Sequence, residues 1–323
     1  MTASKHIAAL FCALLVAGGV AGCGGGGSET SATPSPALRP QDFPQATGRS
    51  LGQLQAAYPA GPILAASVDI LRPGRNRFGF GLFDRARKQI TGTEVALYTS
   101  GATGGHVRGP YAVRNESLAV ATQFRSRTTA TDPDSAKAVY VARIPFARRG
   151  PALVWGLVKL DGRLVATTAL RVTVGKPGPP EIGQRGIRVH TPTATSVHGD
   201  LSKIDTRVPP DDMHDSDLFD VLGHKSVVLV FATPQLCVSR VCGPIVDEVE
   251  QVKSQLGGRA AFIHMEIYNG NDINKGFRPQ LAAWHLPSEP WVFAIDRRGR
   301  IVARLEGAAS AAEVRAAAER ALR

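Results

Sequence analysis

Two cysteines, Cys237 and Cys242, are the residues of this sequence whose type and spacing most directly suggest chemistry. They follow an apolar, β-branched run at 227–231 and precede an amphipathic stretch at 245–256. This order predicts a strand, a loop with paired thiols, and a helix. Free N–H groups and the helix dipole favour negative charge at a helix N-terminus, so a thiol there is stabilised as the thiolate. We predict that Cys237 is a nucleophile and that Cys242 resolves the resulting mixed disulfide.

The spacing of the two cysteines limits how a helix could hold both. Cα atoms five residues apart in an α-helix are separated by roughly 8.6 Å, whereas disulfides bridge Cα atoms up to roughly 7 Å apart. Either Cys237 lies in the loop and the helix starts later, or a local turn unwinds on oxidation. A static disulfide is the other alternative, and closing so short a loop would contribute only about 2 kcal/mol. Arg240 lies between the thiols, and its charge could lower a thiol pKa.

The N-terminus predicts export. Lys5 and His6 precede a short apolar run at 7–16, and small residues follow. The run is too short for a transmembrane span, so residues 1–22 are predicted to be a signal peptide. The segment Val20-Ala21-Gly22-Cys23 resembles the bacterial lipobox. This resemblance implies cleavage before Cys23 and covalent lipid on that residue.

Removal of the signal peptide and lipidation of Cys23 would leave Cys237 and Cys242 as the two free thiols of the mature chain. Residues 23–50, rich in Gly, Ser, Thr and Pro, are predicted to be a flexible tether. We therefore expect an exported protein, lipid-anchored to the bacterial cell membrane on its extracytoplasmic side, with membrane lipid as one partner. No cofactor other than the covalent lipid is expected.

The charge of the chain does not indicate a nucleic-acid partner. The formal net charge is +11, from 38 Lys and Arg against 27 Asp and Glu. Nearly all of this excess lies before residue 216, but no basic run with interleaved aromatic residues occurs there. Such a pattern would be needed to predict nucleic-acid binding. A positive surface near an anionic membrane and an ordinary scattered-charge surface both fit the composition.

Residues 51–175 show the pattern of an all-β domain. Short alternating apolar runs are separated by turn residues, and they lie at 63–68, 77–83, 93–99, 138–144, 152–160 and 164–174. Asp161-Gly162 between the last two predicts a tight hairpin. Short strands at this spacing predict an immunoglobulin-like β-sandwich, with a role as a spacer or a partner-binding module.

Residues 176–215 are predicted to be a proline-rich linker. Within it, Asp211-Asp212-Met213-His214-Asp215 offers metal-ligating side chains, but their spacing matches no known template. We therefore predict a solvated loop there, and no metal site in the chain.

The apolar pattern of residues 216–323 predicts an α/β domain, in the order strand, helix, strand, then a β-hairpin and a final helix. In the first helix we expect Ile245, Val249, Val252 and Leu256 to be buried and Asp247, Glu248 and Lys253 to lie outside. His264, on a predicted buried strand, is expected to be a core histidine whose hydrogen bonds are satisfied.

This last region resembles the thioredoxin-like superfamily, especially its membrane-anchored, extracytoplasmic thiol–disulfide branch. The thiol pair follows the first core strand, with Pro244 in the helix behind it. Residues 289–296 look like the family's cis-proline segment, and 298–304 look like its D-x-x-G-x-I-V hairpin. The resemblance implies thiol–disulfide exchange with a protein thiol or disulfide, in which Pro290 holds the substrate backbone against the reactive sulfur.

The cysteine motif departs from that family, because four residues rather than two separate the cysteines. One peroxiredoxin group has the same gap after T-P-G-C, and Thr233-Pro234-Gln235-Leu236-Cys237 resembles it with one residue inserted. Copper-delivering relatives place a His just before the later strand, whereas His285 lies five residues ahead of Pro290. The alternatives to exchange are therefore a peroxiredoxin-like thiol peroxidase and a non-enzymatic surface lipoprotein that binds a partner.

Overall fold

The computed structural model describes residues 39–46 and 48–323. The predicted signal peptide at 1–22, Cys23, and most of the predicted tether at 23–50 lie outside the described residues. In the described ranges, no helix is both long and apolar enough to cross a membrane. The α-helices of these ranges are α1 (Leu51–Ala56), α2 (Arg127–Thr131), α3 (Leu218–Val221), α4 (Cys242–Leu256), α5 (Pro279–Ala283) and α6 (Ala311–Ala321). Short 3-10 turns lie at Pro40–Asp42, Thr122–Phe124, Thr195–Val197, Leu201–Lys203, Gly257–Arg259, Asn269–Asn271 and Ile273–Lys275.

The first sheet has nine strands: seven follow one hydrogen-bonded path, β1-β2-β6-β5-β4-β7-β8, and the other two branch from it, with β3 paired to β2 and β9 to β7. The strands are β1 (Ile63–Ala66), β2 (Gly74–Phe83), β3 (Gln89–Ile90), β4 (Val95–Gly101), β5 (Arg108–Ser117), β6 (Ala138–Phe146), β7 (Gly150–Leu160), β8 (Arg163–Ala166) and β9 (Leu170–Val174). Its apolar face packs around Phe78, Phe80 and Tyr140, all 1% exposed or less. The prediction that this region is built mainly from β-strands is confirmed, although α1 and α2 also lie in it.

Strand β5 joins the two halves of this sheet. Its first half pairs with β4, through Ala96 and Ala112, and its second half with β6, through Val113 and Ala142. The sequence analysis missed this strand because its side chains show almost no apolar alternation, and Val113 is its one buried residue. A strand whose faces are mostly exposed leaves little hydrophobic pattern to detect.

The predicted hairpin at Asp161-Gly162 is present between β7 and β8. Both residues have positive φ, 48° and 75°, as a two-residue hairpin turn requires. The run at 164–174, predicted as one strand, is two strands that both pair with β7. Between them the Thr167 hydroxyl accepts the Gly156 N–H at 2.8 Å, while the Thr167 N–H still donates to the Gly156 carbonyl at 2.9 Å, so the side chain replaces one of the two backbone bonds there.

The second sheet has four strands, in the order β11-β10-β12-β13. Strands β10 and β11 are parallel, and the other two pairings are antiparallel. Helices α4 and α6 pack on one face, while α3 and the end of α5 pack on the other. The predicted order of strands and helices in this region is confirmed. The strands are β10 (Val227–Phe231), β11 (Ala261–Met265), β12 (Trp291–Ile295) and β13 (Ile301–Glu306).

Helix α4 is buried on more sides than its sequence pattern predicted. Ile245 and Val249 face the core as expected, but Asp247 and Glu248 are 1% and 0% exposed, so the prediction that they lie outside is wrong. Residues near Ser126 cover this side, and the Ser126 N–H donates to Asp247 at 3.1 Å. A pattern within one helix does not reveal a second segment packed on its polar side.

Residues 176–215 contact both sheets. Arg207 in this segment is 4% exposed; it donates to Asp247 of α4 at 2.9 Å and to the Phe124 carbonyl at 2.8 Å. Asp211 and His214 are both 2% exposed, so the predicted solvated loop is wrong at this point. The sheets also meet directly, where Arg77 Nη1 of β2 donates to the Glu306 carbonyl of β13 at 3.2 Å; Arg77 also pairs with Glu313 of α6 at 2.6 Å. The domain limits at 175 and 215 stay a prediction.

Candidate thiol active site

The thiol pair lies at the junction between the end of β10 and the start of α4. Cys237 is in the connecting loop, and Cys242 is the first residue of the helix. Of the two arrangements that the spacing allowed, the structure therefore has the one in which the helix starts after Cys237. The loop turns back at Arg240, whose φ is 62°. Both thiols are free, and each Sγ lies within 4.8 Å of the other and of a Glu289 carboxylate oxygen.

The environment of Cys237 stabilises a thiolate. A hydrogen bond from the Cys242 thiol is the largest cause of a pKa lowered to about 6. Burial opposes this shift, and the Ser239 hydroxyl, 3.2 Å from Sγ, adds to it. The backbone N–H groups of Val241 and Cys242 also contribute, as expected at the start of a helix. Cys237 is 8% exposed, which leaves a path to its sulfur.

Cys242 has the opposite environment. Its side chain is fully buried, and burial raises the pKa of its thiol well above the usual value. The neighbouring Cys237 and Glu289 raise it further, because a second negative charge beside them is unfavourable. One thiol of the pair is thus held ionised and the other protonated.

Glu289 completes the site and was missed by the sequence analysis. Burial, followed by the negative charge at Cys237, raises its pKa to about 8. Its Oε2 atom is buried without a hydrogen-bond partner in the described part of the chain. The sequence feature that could have identified it is a carboxylate directly before Pro290, at the start of a predicted buried strand. The Glu289–Pro290 peptide bond is cis, and Pro290 is buried at that position.

A groove of about 600 Å³ opens beside Cys237. One wall is the thiol loop with Arg240, and the other is the segment 127–135, which lies between β5 and β6 of the first sheet. This segment packs closely on α4, since a Cβ on Gly243 would lie 2.7 Å from the Thr129 hydroxyl. Nothing in the sequence pattern indicated that residues from the all-β region border the thiols.

Arg240 points toward this second wall. Its Nη1 pairs with Asp132 at 3.0 Å, and the arginine side chain is 53% exposed. The lowered pKa of Cys237 is accounted for chiefly by Cys242, Ser239 and the helix N–H groups.

Two groups of side chains in the described ranges have donor atoms close enough to hold a metal ion. One is the thiol site itself, Cys237 with Cys242 and Glu289. The other, which we call the Asp–His cluster, consists of Asp205, Asp211, His214 and His264.

His264 in the Asp–His cluster is a core histidine with both ring nitrogens hydrogen-bonded, as predicted. Its Nδ1 lies 2.7 Å from Asp211 and its Nε2 lies 3.1 Å from the Ala232 carbonyl. Burial lowers its pKa, but the carboxylates of Asp211 and Asp205 outweigh burial and raise the pKa to about 10.

Comparisons with known proteins give little beyond this geometry. No protein-family model and no curated protein matches the chain. A thiol:disulfide interchange protein of the thioredoxin family from Chlorobium tepidum TLS is weakly similar in structure, with 15% identity and a TM-score of 0.28 over 46% of this chain and 99% of that one. Domains 4 and 5 of the S-layer protein SbsC are similar at 12% identity and a TM-score of 0.17, over 35% and 52%. At these TM-scores neither similarity supports an argument about this chain.

Proposed function

We propose that this chain is a thiol–disulfide oxidoreductase in which Cys237 is the nucleophile and Cys242 the resolving thiol. The main support is one observation: two free thiols lie within 4.8 Å, one with its pKa lowered to about 6 and the other with its pKa raised well above normal. A structural bridge needs no such difference between its cysteines. Exchange does, because one thiol must attack while the other waits in the protonated form.

The first step is attack of the Cys237 thiolate on a substrate disulfide. The Cys237–sulfur bond forms, the substrate S–S bond breaks, and one substrate thiolate leaves. In the second step the Cys242 thiolate attacks Cys237 Sγ, forms the Cys237–Cys242 disulfide and releases the second substrate thiolate. Two electrons pass from the thiol pair to the substrate, which leaves as two thiols.

Glu289 can supply and accept the protons of these steps. Formation of the mixed disulfide removes the negative charge at Cys237, and that charge helps to raise the Glu289 pKa to about 8. The carboxyl therefore becomes more acidic at that moment and protonates the leaving thiolate. As a carboxylate beside Cys242, it then takes the thiol proton that must be lost before the second attack, and it passes that proton to the second leaving thiolate.

The setting of this activity is also part of the proposal. Cys23 would be lipidated after removal of residues 1–22, which anchors the chain to the extracytoplasmic side of the bacterial membrane, with membrane lipid as a partner. Pro290 would hold the substrate backbone beside Cys237, and the substrate or redox partner would be a protein thiol or disulfide. An immunoglobulin-like arrangement of the first sheet and the absence of a nucleic-acid partner are further expectations from the sequence.

The test uses the full chain and the single variants Cys237→Ser and Cys242→Ser. We expect Cys237→Ser to abolish reduction of glutathione disulfide, and Cys242→Ser to accumulate the mixed disulfide. Val238→Ser, which places the same hydroxyl at an 85% exposed position of the same loop, is the matched control and should keep the wild-type reduction potential.

Three measurements distinguish thiol–disulfide exchange from its alternatives: the reduction potential of the thiol pair, the function of a double variant, and the reaction with peroxide. A potential below about −300 mV, the range of structural disulfides, would reject the proposal. Normal cellular function of a Cys237→Ser/Cys242→Ser double variant would instead support the non-enzymatic lipoprotein. Loss of the Cys237 thiol with hydrogen peroxide faster than with glutathione disulfide would support the peroxidase.

A further inference from the structure

The Asp–His cluster lies at the β11 edge of the second sheet, beside the end of β10. Asp205, Asp211 and His214 come from the segment that connects the two sheets, and His264 comes from strand β11. The segment runs along this edge strand, where the His264 N–H donates to the Met213 carbonyl at 3.0 Å. All four side chains of the cluster are 3% exposed or less.

His214 is the member of this cluster whose burial is not compensated by hydrogen bonds. It is 2% exposed, and neither ring nitrogen has a hydrogen-bond partner in the described part of the chain. Its Nε2 is nevertheless aimed at the two carboxylates, 3.5 Å from Asp205 Oδ2 and 3.4 Å from Asp211 Oδ1. A buried polar group without a partner is destabilising, so this arrangement calls for a ligand between the three side chains.

The donor separations fit a tetrahedral metal ion. Zinc bonds of about 2.0–2.1 Å to nitrogen and oxygen place neighbouring donors of a tetrahedron about 3.3 Å apart. The His214 Nε2 contacts, 3.4 Å to Asp211 Oδ1 and 3.5 Å to Asp205 Oδ2, are close to that value. His264 Nδ1 is nearest the other Asp205 oxygen, Oδ1, at 3.8 Å, and one donor atom from each of the four residues lies within 4.8 Å of the others. The shorter 2.7 Å contact between His264 Nδ1 and Asp211 is a direct hydrogen bond along one edge.

The groups around the cluster already orient its donor atoms. His264 Nε2 faces the Ala232 carbonyl at 3.1 Å, which directs Nδ1 into the cluster. Asp205 accepts the N–H groups of Arg207 and Asp211, both at 2.7 Å, and Asp211 accepts the Met213 N–H at 2.8 Å. Ligands held in this way by backbone groups are typical of protein metal sites.

We propose that Asp205, Asp211, His214 and His264 bind one divalent transition-metal ion, zinc by its geometry. Two carboxylates balance the charge of a divalent cation when both imidazoles are neutral, so metal binding releases the proton that His264 Nδ1 shares with Asp211. Nitrogen and oxygen donors suit zinc. With four protein ligands the site has no open position, so its role is structural. The sequence analysis expected no metal because two of the ligands are 53 residues apart, Asp211 and His264.

The ion would fix one wall of the thiol groove. Next to the cluster, the Thr206 hydroxyl accepts the Gln235 N–H of the thiol loop at 3.1 Å. The Val208 carbonyl accepts the N–H of Arg127 at 2.7 Å, and Arg127 lies on the opposite wall. Metal binding at the Asp–His cluster therefore stabilises the segment that joins both walls, without contact to the reacting sulfurs.

The test is zinc binding by the full chain with Cys237→Ser and Cys242→Ser, in which Cys12 and Cys23 are replaced by serine as well, since free thiols also bind zinc. After treatment with a chelator, this chain should take up one Zn²⁺ per molecule in competition with a zinc-sensitive dye. X-ray absorption should show nitrogen and oxygen ligands alone, at about 2.0–2.1 Å. Zinc should also raise the thermal unfolding midpoint, because it binds the folded state. All three readouts are independent of thiol exchange, so their failure would leave the proposed function standing.

His214→Ala in the same cysteine-free chain should weaken zinc binding at least about 10-fold. His224→Ala, an exposed histidine of the same region, is the matched control and should bind zinc as the parent does. If His214→Ala does not fold, the zinc stoichiometry and the X-ray absorption of the parent chain still test whether the site binds zinc. No zinc bound by the folded cysteine-free chain, sulfur or water in the coordination shell, or equal affinity of His214→Ala would each overturn the site.

Discussion

The thiol site and the Asp–His cluster are both buried groups of titratable side chains next to strand β10, but their charges are arranged in opposite ways. In the Asp–His cluster, carboxylates face imidazoles, and Asp211 lies 2.7 Å from His264. In the thiol site, Cys237, Cys242 and Glu289 all become negative when they ionise, and no cation lies among them.

The consequence is seen in the direction of the pKa shifts. Asp211 and His264 stabilise each other's charged forms: burial opposes ionisation, yet the pKa of Asp211 falls to about 2 and that of His264 rises to about 10. In the thiol site burial and like charge act together, so the pKa of Glu289 rises to about 8 and that of Cys242 rises well above its usual value. Burial thus accompanies a stable pair in the region where opposite charges meet, and groups poised for proton transfer in the region where like charges meet.

Removing one charge of the paired region should have the largest effect. Asp211→Asn leaves His264 buried beside a weaker partner, and breaking a buried pair in this way costs about 3–5 kcal/mol of unfolding free energy. Urea unfolding with a chelator present measures this charge effect apart from any metal. Asp212→Asn is the control: Asp212 is the exposed partner of Lys253, and its loss should cost less than about 1 kcal/mol. Equal losses in the two variants would show that the Asp–His cluster is not charge-balanced.

In the thiol site, removing a charge should affect rate rather than stability. Glu289→Gln should slow resolution of the mixed disulfide by about 100-fold, the low end for loss of a general acid–base group. Stability at pH 7 should be kept, because a carboxyl with a pKa of about 8 is already protonated there and glutamine resembles it. Single-turnover rapid-quench measurements give the rate. Glu319→Gln, at an exposed position of α6, should resolve at the wild-type rate.

The third prediction concerns the pH at which Cys237 ionises. The thiolate fraction, and with it the rate of alkylation by iodoacetamide, should rise with pH around a midpoint of about 6. Cys242→Ala removes the largest cause of this low value. A hydrogen bond to a charged group contributes about 1.5–3 kcal/mol, so the midpoint should move up by about 1–2 pH units. Cys242→Ser keeps a donor and should shift it less. An unchanged midpoint in the alanine variant would mean that the thiols are not coupled.

The smallest effect is expected where the thiol loop meets the first sheet. Asp132→Asn removes the exposed partner of Arg240, and such pairs contribute about 0.2–1 kcal/mol. Because Cys242, Ser239 and the helix N–H groups account for most of the shift, the Cys237 midpoint should stay near 6. A clear downward shift in this variant, from an Arg240 charge that Asp132 no longer neutralises, would assign Arg240 the electrostatic role considered from the sequence.

Much of the second sheet was predictable because its signals are local. The continuous apolar runs at Val227–Phe231 and Trp291–Ile295 are strands with those limits, and Ser310 caps α6 through the Glu313 N–H. The five-residue spacing alone required that Cys237 lie outside the helix, or that a turn unwind on oxidation, if the pair is to form a disulfide. Strand β5 escaped detection because its exposed faces carry no apolar alternation.

The sequence by itself determined the thiol pair, the order of strands and helices around it, and the conflict between its spacing and helix geometry, since each depends on neighbours along the chain. Only the tertiary structure decided what surrounds these residues. It brought Glu289 beside the thiols, placed residues 127–135 on the opposite wall, and assembled the Asp–His cluster from distant segments. The physical reason is that burial and charge pairing act through space, and residues far apart in sequence, such as Asp205 and His264 at 59 positions, leave no sign of their contact in the local pattern.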